Sequence, residues 1–403
     1  MTRRTRAREK VVASGARSVV SLRMKQRFLS TLAAVVISST AFAASDTSVY
    51  IGSYTGGKNT SKGITLFGLD SKTGTLELIG LAAEAKSPSF MAISPNKQFL
   101  YAVAELGGKD ATVSSFAVDK QSGKLTFLNK QASGGSGPCH LSVDHTGKVL
   151  LVANYGSGHI ASLPIKDDGS LEEATSTFLQ GPASKADPER QKGPHAHSIN
   201  VDKGNRFAFA CDLGCDKIFS YKLDTATAKL TPNDPAFVSV SPASGPRHFA
   251  FHPSGKFAFA NNEIALTETS FSYDADKGAL TQIETVSTLP PGVKAISAYS
   301  TAETQVHPSG KFVYVSNRGH NTIACFRVDE ATGKLTYIEN APSVVRTLRN
   351  FGIDPSGQWL IAAGQDSNNI AVFSIEEKTG KLKPTGQVLE VGAPVCVKFL
   401  KRE

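Results

Sequence analysis

The sequence predicts an all-β fold: a seven-bladed β-propeller with four-stranded antiparallel blades, the ring closed by the C-terminal strand pairing in the N-terminal blade. Three observations carry this expectation. One hairpin motif recurs seven times at intervals of 46 to 59 residues, averaging 51. A second, different hairpin precedes six of the seven copies. One repeat is divided between the two ends of the chain. Two hairpins per period make a four-stranded unit, and tandem four-stranded units with a period of 40 to 50 residues are the mark of a propeller.

The first hairpin is an extended apolar segment, an acid, a tight turn and a Leu. It reads LFGLDSKTGTL from Leu66, SFAVDKQSGKL from Ser115, LPIKDDGSL from Leu163 and SYKLDTATAKL from Ser220. It continues as SYDADKGAL from Ser272, CFRVDEATGKL from Cys325 and VFSIEEKTGKL from Val372. The turn residue is Gly in six copies and Ala228 in the other. The second hairpin has the cores AISPNKQFLYAVAE, SVDHTGKVLLVANY, NVDKGNRFAFACDL, AFHPSGKFAFANNE, QVHPSGKFVYVSNR and GIDPSGQWLIAAGQ. Each is a strand, a turn that Gly, Asn or Ser adopts cheaply, and a second strand of β-branched or aromatic residues. No segment with helical periodicity intervenes, which argues against parallel βαβ units. At the N-terminus SVYIGSY aligns with the second strand, FVYVSNR, and at the C-terminus APVCVKFL aligns with the first. A ring explains that division; a solenoid does not.

Forty-four Lys and Arg against 35 Asp and Glu give a net charge of +9, which would suit nucleic acid. The excess is confined to the leader: residues 1–27 hold nine basic residues against Glu9, and residues 28–44 hold no charge. From Met24 the chain reads as a secretory signal peptide: Lys25 and Arg27, an apolar run from Phe28 to Ile37, and an Ala41-Phe42-Ala43 cleavage signal. Residues 1–44 are therefore taken as an N-terminal extension and signal peptide with the true start at Met24, and 45–403 as one propeller domain. The expected product is a periplasmic or secreted monomer that engages neither nucleic acid nor, after cleavage, a membrane. Five Cys (139, 211, 215, 325 and 396) are too few for a disulfide framework. Cys211 and Cys215 fit either a small disulfide loop or two buried thiols.

Stacking the repeats in register places polar residues without reference to any family. The head of the innermost strand gives the column Ser89, Cys139, His197, Arg247, Ala302 and Arg349. The next column is Phe90, His140, Ser198, His248, Glu303 and Asn350. The end of the second strand gives Tyr54, Glu105, Tyr155, Leu213, Glu263, Arg318 and Gln365. Equivalent positions ring the central channel, so residues far apart in sequence converge there. Blades four to seven offer His197, Arg247, Glu263, Arg318 and Arg349, with His195 two residues from His197 on the same strand face. His140 and His248 belong to the adjoining ring.

There is no recurring Trp-Asp or double-Gly motif, so WD40 and kelch blades are excluded. No G-x-S-x-G elbow, P-loop or dinucleotide fingerprint occurs. The PSGKF-type turns, the D-x-x-TGKL hairpins and the opening YIGSYTGG resemble the lactonase family of seven-bladed propellers, which takes in propeller-type 6-phosphogluconolactonases and carboxy-cis,cis-muconate cyclases. The resemblance runs from Ser48 to Phe399. It implies hydrolysis of a sugar lactone without a cofactor, by His197 (or His195), Arg247, Glu263 and Arg318; the registered columns add His195, His140, His248 and Arg349 as expected substrate contacts. Arg247 and Arg318 would bind an anionic group or polarise the carbonyl, and His197 or Glu263 would activate water. An exported protein is matched better to an unphosphorylated aldonolactone than to a sugar phosphate. The alternatives are a muconate-type cyclase that forms the lactone and a non-enzymatic propeller that binds a ligand or protein. His195-x-His197 could ligate zinc, but no third ligand is evident and no metal is expected. His252 and His307 stand where other blades carry a turn Asp and are expected to stabilise turns. Single changes of Arg247 and Glu263 to Ala are expected to abolish turnover and leave the melting temperature nearly unchanged.

Overall fold

The computed structural model describes residues 45–402; the leader lies outside them. Among these residues are twenty-eight strands in seven four-stranded sheets, and a single 3-10 turn at Gly108–Asp110. Blade one contains Thr47–Ser53, Gly63–Leu69 and Leu76–Glu84, and its fourth strand is Pro394–Lys401. That last strand pairs antiparallel with Thr47–Ser53, from Thr47 opposite Lys401 to Gly52 opposite Cys396. Blades two to seven are consecutive in sequence, with innermost strands Met91–Ile93, Pro138–Val143, Ala196–Val201, Pro246–Phe251, Ser300–Val306 and Leu348–Ile353. Each innermost strand packs on the next around the axis, and Pro394–Lys401 touches both Leu348–Ile353 and Met91–Ile93. The ring is closed.

The core lies in the seams between blades, where side chains of one sheet cover the face of the next. Val49 and Phe67 of blade one share a cluster with Ile361 and Val372 of blade seven, all fully buried. Each such side chain contributes ~1.5–3 kcal/mol relative to exposure. The repeated motifs also meet at the seams. The turn glycine of one blade lies on the aromatic residue that opens the second strand of the preceding blade. Gly169 lies on Phe99, Gly278 on Phe207, Gly380 on Phe312, and across the closure Gly74 lies on Trp359. Gly74 has φ +73°, and a Cβ there would come within 2.4 Å of the Trp359 ring, so both conformation and space require glycine. Trp359 Nε1 also donates to the Ser71 carbonyl at 2.8 Å. Ala228 takes the same left-handed conformation, φ +54°. It shares a core cluster with Val149, the smaller residue that stands at the aromatic position in the preceding blade.

His252 and His307 fasten these turns. Nδ1 of each meets the Ser two residues on (2.7 and 2.8 Å), and Nε2 meets the carbonyl of Gly310 or Gly357 in the next blade, both at 2.8 Å. All five cysteines are free and buried, so Cys211 and Cys215 form no bridge.

Candidate functional site at the channel mouth

The innermost strands are irregular at their heads. Register shifts interrupt pairing between Pro138 and His140, Ala196 and Ser198, Pro246 and Phe249, Thr301 and Thr304, and Leu348 and Asn350. An ideal strand sends neighbouring side chains to opposite faces; a bulge breaks that rule. Arg247 therefore joins the carboxylate of Glu263 while its neighbour His248 joins that of Glu303, and both lie in the channel.

Glu263 is the centre of the mouth at the strand heads. It follows strand Phe257–Asn262, and its amide donates to the Gly245 carbonyl at 2.7 Å. Its carboxylate is buried against three guanidinium groups: Oε2 is 2.8 Å from Arg247 Nε, and Oε1 is 3.0 Å from Arg318 and 2.5 Å from Arg190. Burial opposes its charge, but the three arginines prevail and hold it well below the usual carboxylate range. With its lone pairs committed to three cations, Glu263 is a poor proton acceptor at neutral pH, contrary to one of the sequence expectations.

The arginines differ in access. The Arg247 side chain is 1% exposed and donates to the Ala302 carbonyl. Burial, with the Arg349 and Arg318 charges beside it, pushes Arg247 down to about 10, still cationic at pH 7. Arg318 is 16% exposed and Arg190 is 40% exposed, so these two present nitrogen to the open side. Arg318 is braced by the Thr301 carbonyl at 3.1 Å. Arg349 pairs with a different carboxylate: it is 3.6 Å from Glu105, which also accepts from the Tyr54 hydroxyl at 2.9 Å.

Arg190 belongs to no repeat, so registering the repeats does not reach it. The one available signal was the 59-residue step between Gly169 and Ala228, which marks an insertion. In that insertion the Asp187 carboxylate accepts from the Glu189 and Arg190 amides. Fully buried Gln191 reaches the Leu213 carbonyl and Asp216. Those bonds fix the chain on either side of Arg190.

Two histidines border the arginines. His195 precedes strand Ala196–Val201 and is stacked on the Tyr155 ring, centroids 4.5 Å apart. Its amide donates to buried Asp212 at 2.8 Å. Its Nδ1 is 2.9 Å from the Tyr155 carbonyl, which can only accept, so in the neutral ring Nδ1 carries the proton and Nε2 the lone pair. His197 meets the same Tyr155 edge-on and lies deeper, 4% exposed, with Nδ1 3.7 Å from Cys139 Sγ. Burial, reinforced by the Arg247 charge, keeps His197 neutral at pH 7. Cys139 is pushed up to about 12 by burial and stays a thiol. Further along the channel are His140 and His248, with ring centroids 5.3 Å apart; His248 is 5.2 Å from His197. Among the described residues no three His, Cys, Asp or Glu are arranged to hold a metal ion.

Fold and site together define a propeller whose channel mouth is lined by arginines and neutral histidines, suited to a small carbonyl or anionic ligand. The family model for the lactonase of seven-bladed β-propeller type matches residues 48–399. The chain belongs to that family. It is 35% identical to the 6-phosphogluconolactonase of Bacillus subtilis (strain 168) over 351 residues, 87% of this chain and 97% of that protein. It is 33% identical over 320 residues to the 6-phosphogluconolactonase of Formosa agariphila, covering 76% and 86% of the two chains. The structure of the periplasmic gluconolactonase of Pseudomonas aeruginosa superposes with a TM-score of 0.83 at 30% identity, covering 89% of this chain and 99% of that one.

Proposed function

We propose that the protein hydrolyses a sugar lactone at this mouth. The observation that carries the reading is the shared carboxylate of Glu263, which holds Arg190 and Arg318 side by side at the opening. A fixed-tautomer imidazole, His195, borders the same opening. Lactone opening needs both parts: donors where negative charge develops on the carbonyl oxygen, and a base for water.

His195 Nε2 takes a proton from water as its oxygen attacks the lactone carbonyl carbon. The resulting oxyanion is stabilised by Arg318 and Arg190. Collapse breaks the bond to the ring oxygen, which receives the proton from His195, leaving the open hydroxy acid. Arg247 and Glu263 position the two outer guanidinium groups, and buried His197 supports the Tyr155–His195 stack from below.

Four guanidinium groups against Glu263 and Glu105 leave two net positive charges at the mouth, enough to favour an anionic or strongly polarised ligand. The signal sequence read from Met24 and the likeness to a periplasmic gluconolactonase support export to the periplasm and an aldonolactone without a phosphate. The test is the initial rate on glucono-1,5-lactone beside 6-phosphogluconolactone, with Arg318→Ala as control. Turnover of the unphosphorylated lactone, lost in the variant, is the expected result. Rates equal to spontaneous hydrolysis for both lactones would refute the reading.

A further inference from the structure

The channel has a second mouth, at the far ends of the innermost strands, with an open cavity of about 410 Å³. Phe90, Val143, Phe251 and Val306 are among the apolar residues of its wall, and its polar residues include His140, Asn200, His248, Glu303 and Lys398. Such a volume holds one small ligand. None of these polar groups takes part in the Glu263 cluster, and their hydrogen bonds show what each presents.

Glu303 acts as an acceptor on both oxygens: Oε1 takes the Thr304 amide at 3.1 Å, and Oε2 takes Asn350 Nδ2. With Glu303 ionised, His248 Nδ1, 3.0 Å from Oε1, is the donor of that pair, and Nε2 of the neutral ring holds a lone pair. That Nε2 is buried and has no hydrogen-bond partner among the described residues. His140 is the converse. Its Nδ1 accepts the Ile199 amide at 3.3 Å, so its Nε2 carries the proton. Asn200 Nδ2 is a buried donor, likewise without a partner among the described residues. Lys398, 4.3 Å over the Phe90 ring, is the one lysine or arginine among the lining residues. Buried polar groups left without partners cost ~1–3 kcal/mol each, so two of them in one cavity point to an occupant.

We infer that this second mouth is a binding site for a small hydroxylated carboxylate. Lys398 and His140 Nε2–H receive the carboxylate, His248 Nε2 accepts from a neighbouring hydroxyl, and Asn200 Nδ2 donates to a second oxygen. A simple anion leaves the His248 lone pair unanswered; a neutral polyol leaves the Lys398 ammonium with Glu303 alone as its counter-charge. The inference rests on the cavity alone and stands whether or not the opposite mouth hydrolyses lactones.

The test is calorimetric titration of the full chain carrying Arg318→Ala, which disables the first mouth, with sodium D-gluconate and, separately, sodium acetate. Gluconate is expected to bind at one site, at least tenfold more tightly than acetate. Adding Lys398→Met is expected to weaken gluconate at least tenfold, while Lys398→Met alone leaves lactone turnover within twofold of the parent. Asn200→Leu provides the same loss if the lysine variant fails to fold. No gluconate binding to the Arg318→Ala chain, binding unchanged by the second substitution, or acetate equal to gluconate would each overturn the assignment.

Discussion

Replacing Glu263 by Gln keeps the shape of the side chain and removes the one negative charge shared by three arginines. The cost follows from what remains. Arg247 and Arg318, 1% and 16% exposed, stay buried together without a counter-charge, and removing one partner of a buried ion pair costs ~3–5 kcal/mol. Arg190, 40% exposed, adds less than ~1 kcal/mol because water screens it. For a domain of roughly 350 residues the unfolding entropy is about 0.7 kcal/mol/K, so the melting temperature falls by about 4–7 °C. The effect has a pH signature. The folded-state pKa of Glu263 is depressed, so its contribution is complete above the unfolded carboxylate value of ~4.3 and is lost as pH falls toward the lower folded value. Scanning calorimetry of both proteins from pH 7 to pH 3 should show the gap at pH 7 beginning to narrow below about pH 4. Equal melting temperatures at pH 7, or a gap as wide at pH 3 as at pH 7, would refute the reasoning.

The half-exposed Arg190 separates function from stability. Arg190→Ala should shift unfolding by less than ~1 kcal/mol yet lower kcat/KM for the lactone at least tenfold, as measured by initial rates. Gly333→Ala should destabilise by ~1–3 kcal/mol in denaturant titration, because the residue has φ +72° and its new Cβ would lie 2.5 Å from the Phe257 ring. Glu303 is pushed up to about 7 by burial, so its folded value lies above the unfolded one. The wild type should therefore lose on the order of 3 kcal/mol between pH 4 and pH 7 through this group, a slope that Glu303→Gln removes. Protein recovered from a periplasmic fraction should have Ala44 or Ser45 as its first residue by N-terminal sequencing.

The blades were legible because a propeller repeats its local chemistry. Hairpins with a Gly-rich turn and a Leu after it recur at a nearly fixed step, and the division of blade one between SVYIGSY and APVCVKFL is visible in the sequence. Registering the repeats was also enough to bring His197, Arg247, Glu263 and Arg318 to one mouth, since equivalent positions share a height on the axis. What escaped is what the repeat does not carry. Arg190 lies in the connection between strand Ser176–Leu179 of blade three and strand Ala196–Val201 of blade four. The irregular strand heads could not be read from alternation, so the sequence does not show that His140 and His248 line a different cavity from the Glu263 cluster. Access was equally hidden. Arg247 looked like a free binding group whose loss would spare the fold, but its 1% exposure means that Arg247→Ala must lower the melting temperature as well.

The channel's two ends are joined through one dipeptide. Arg247 turns to Glu263 and His248 to Glu303, and an unbulged strand would have directed one of the two away from the axis. The bulge thus places a permanent cation and a neutral imidazole back to back, with His197 in ring contact with the second. Their roles follow from burial rather than from residue type. A fully buried arginine cannot sample substrate-sized space, so it sets the position of the carboxylate that spaces Arg190 and Arg318. A buried histidine with Nδ1 bonded to Glu303 and Nε2 without a hydrogen-bond partner among the described residues belongs to the wall of the opposite cavity. Exchanging Arg247 for Lys, which keeps the charge but not the fork that reaches both Glu263 and the Ala302 carbonyl, should therefore disturb the outer arginines more than the net charge of the mouth.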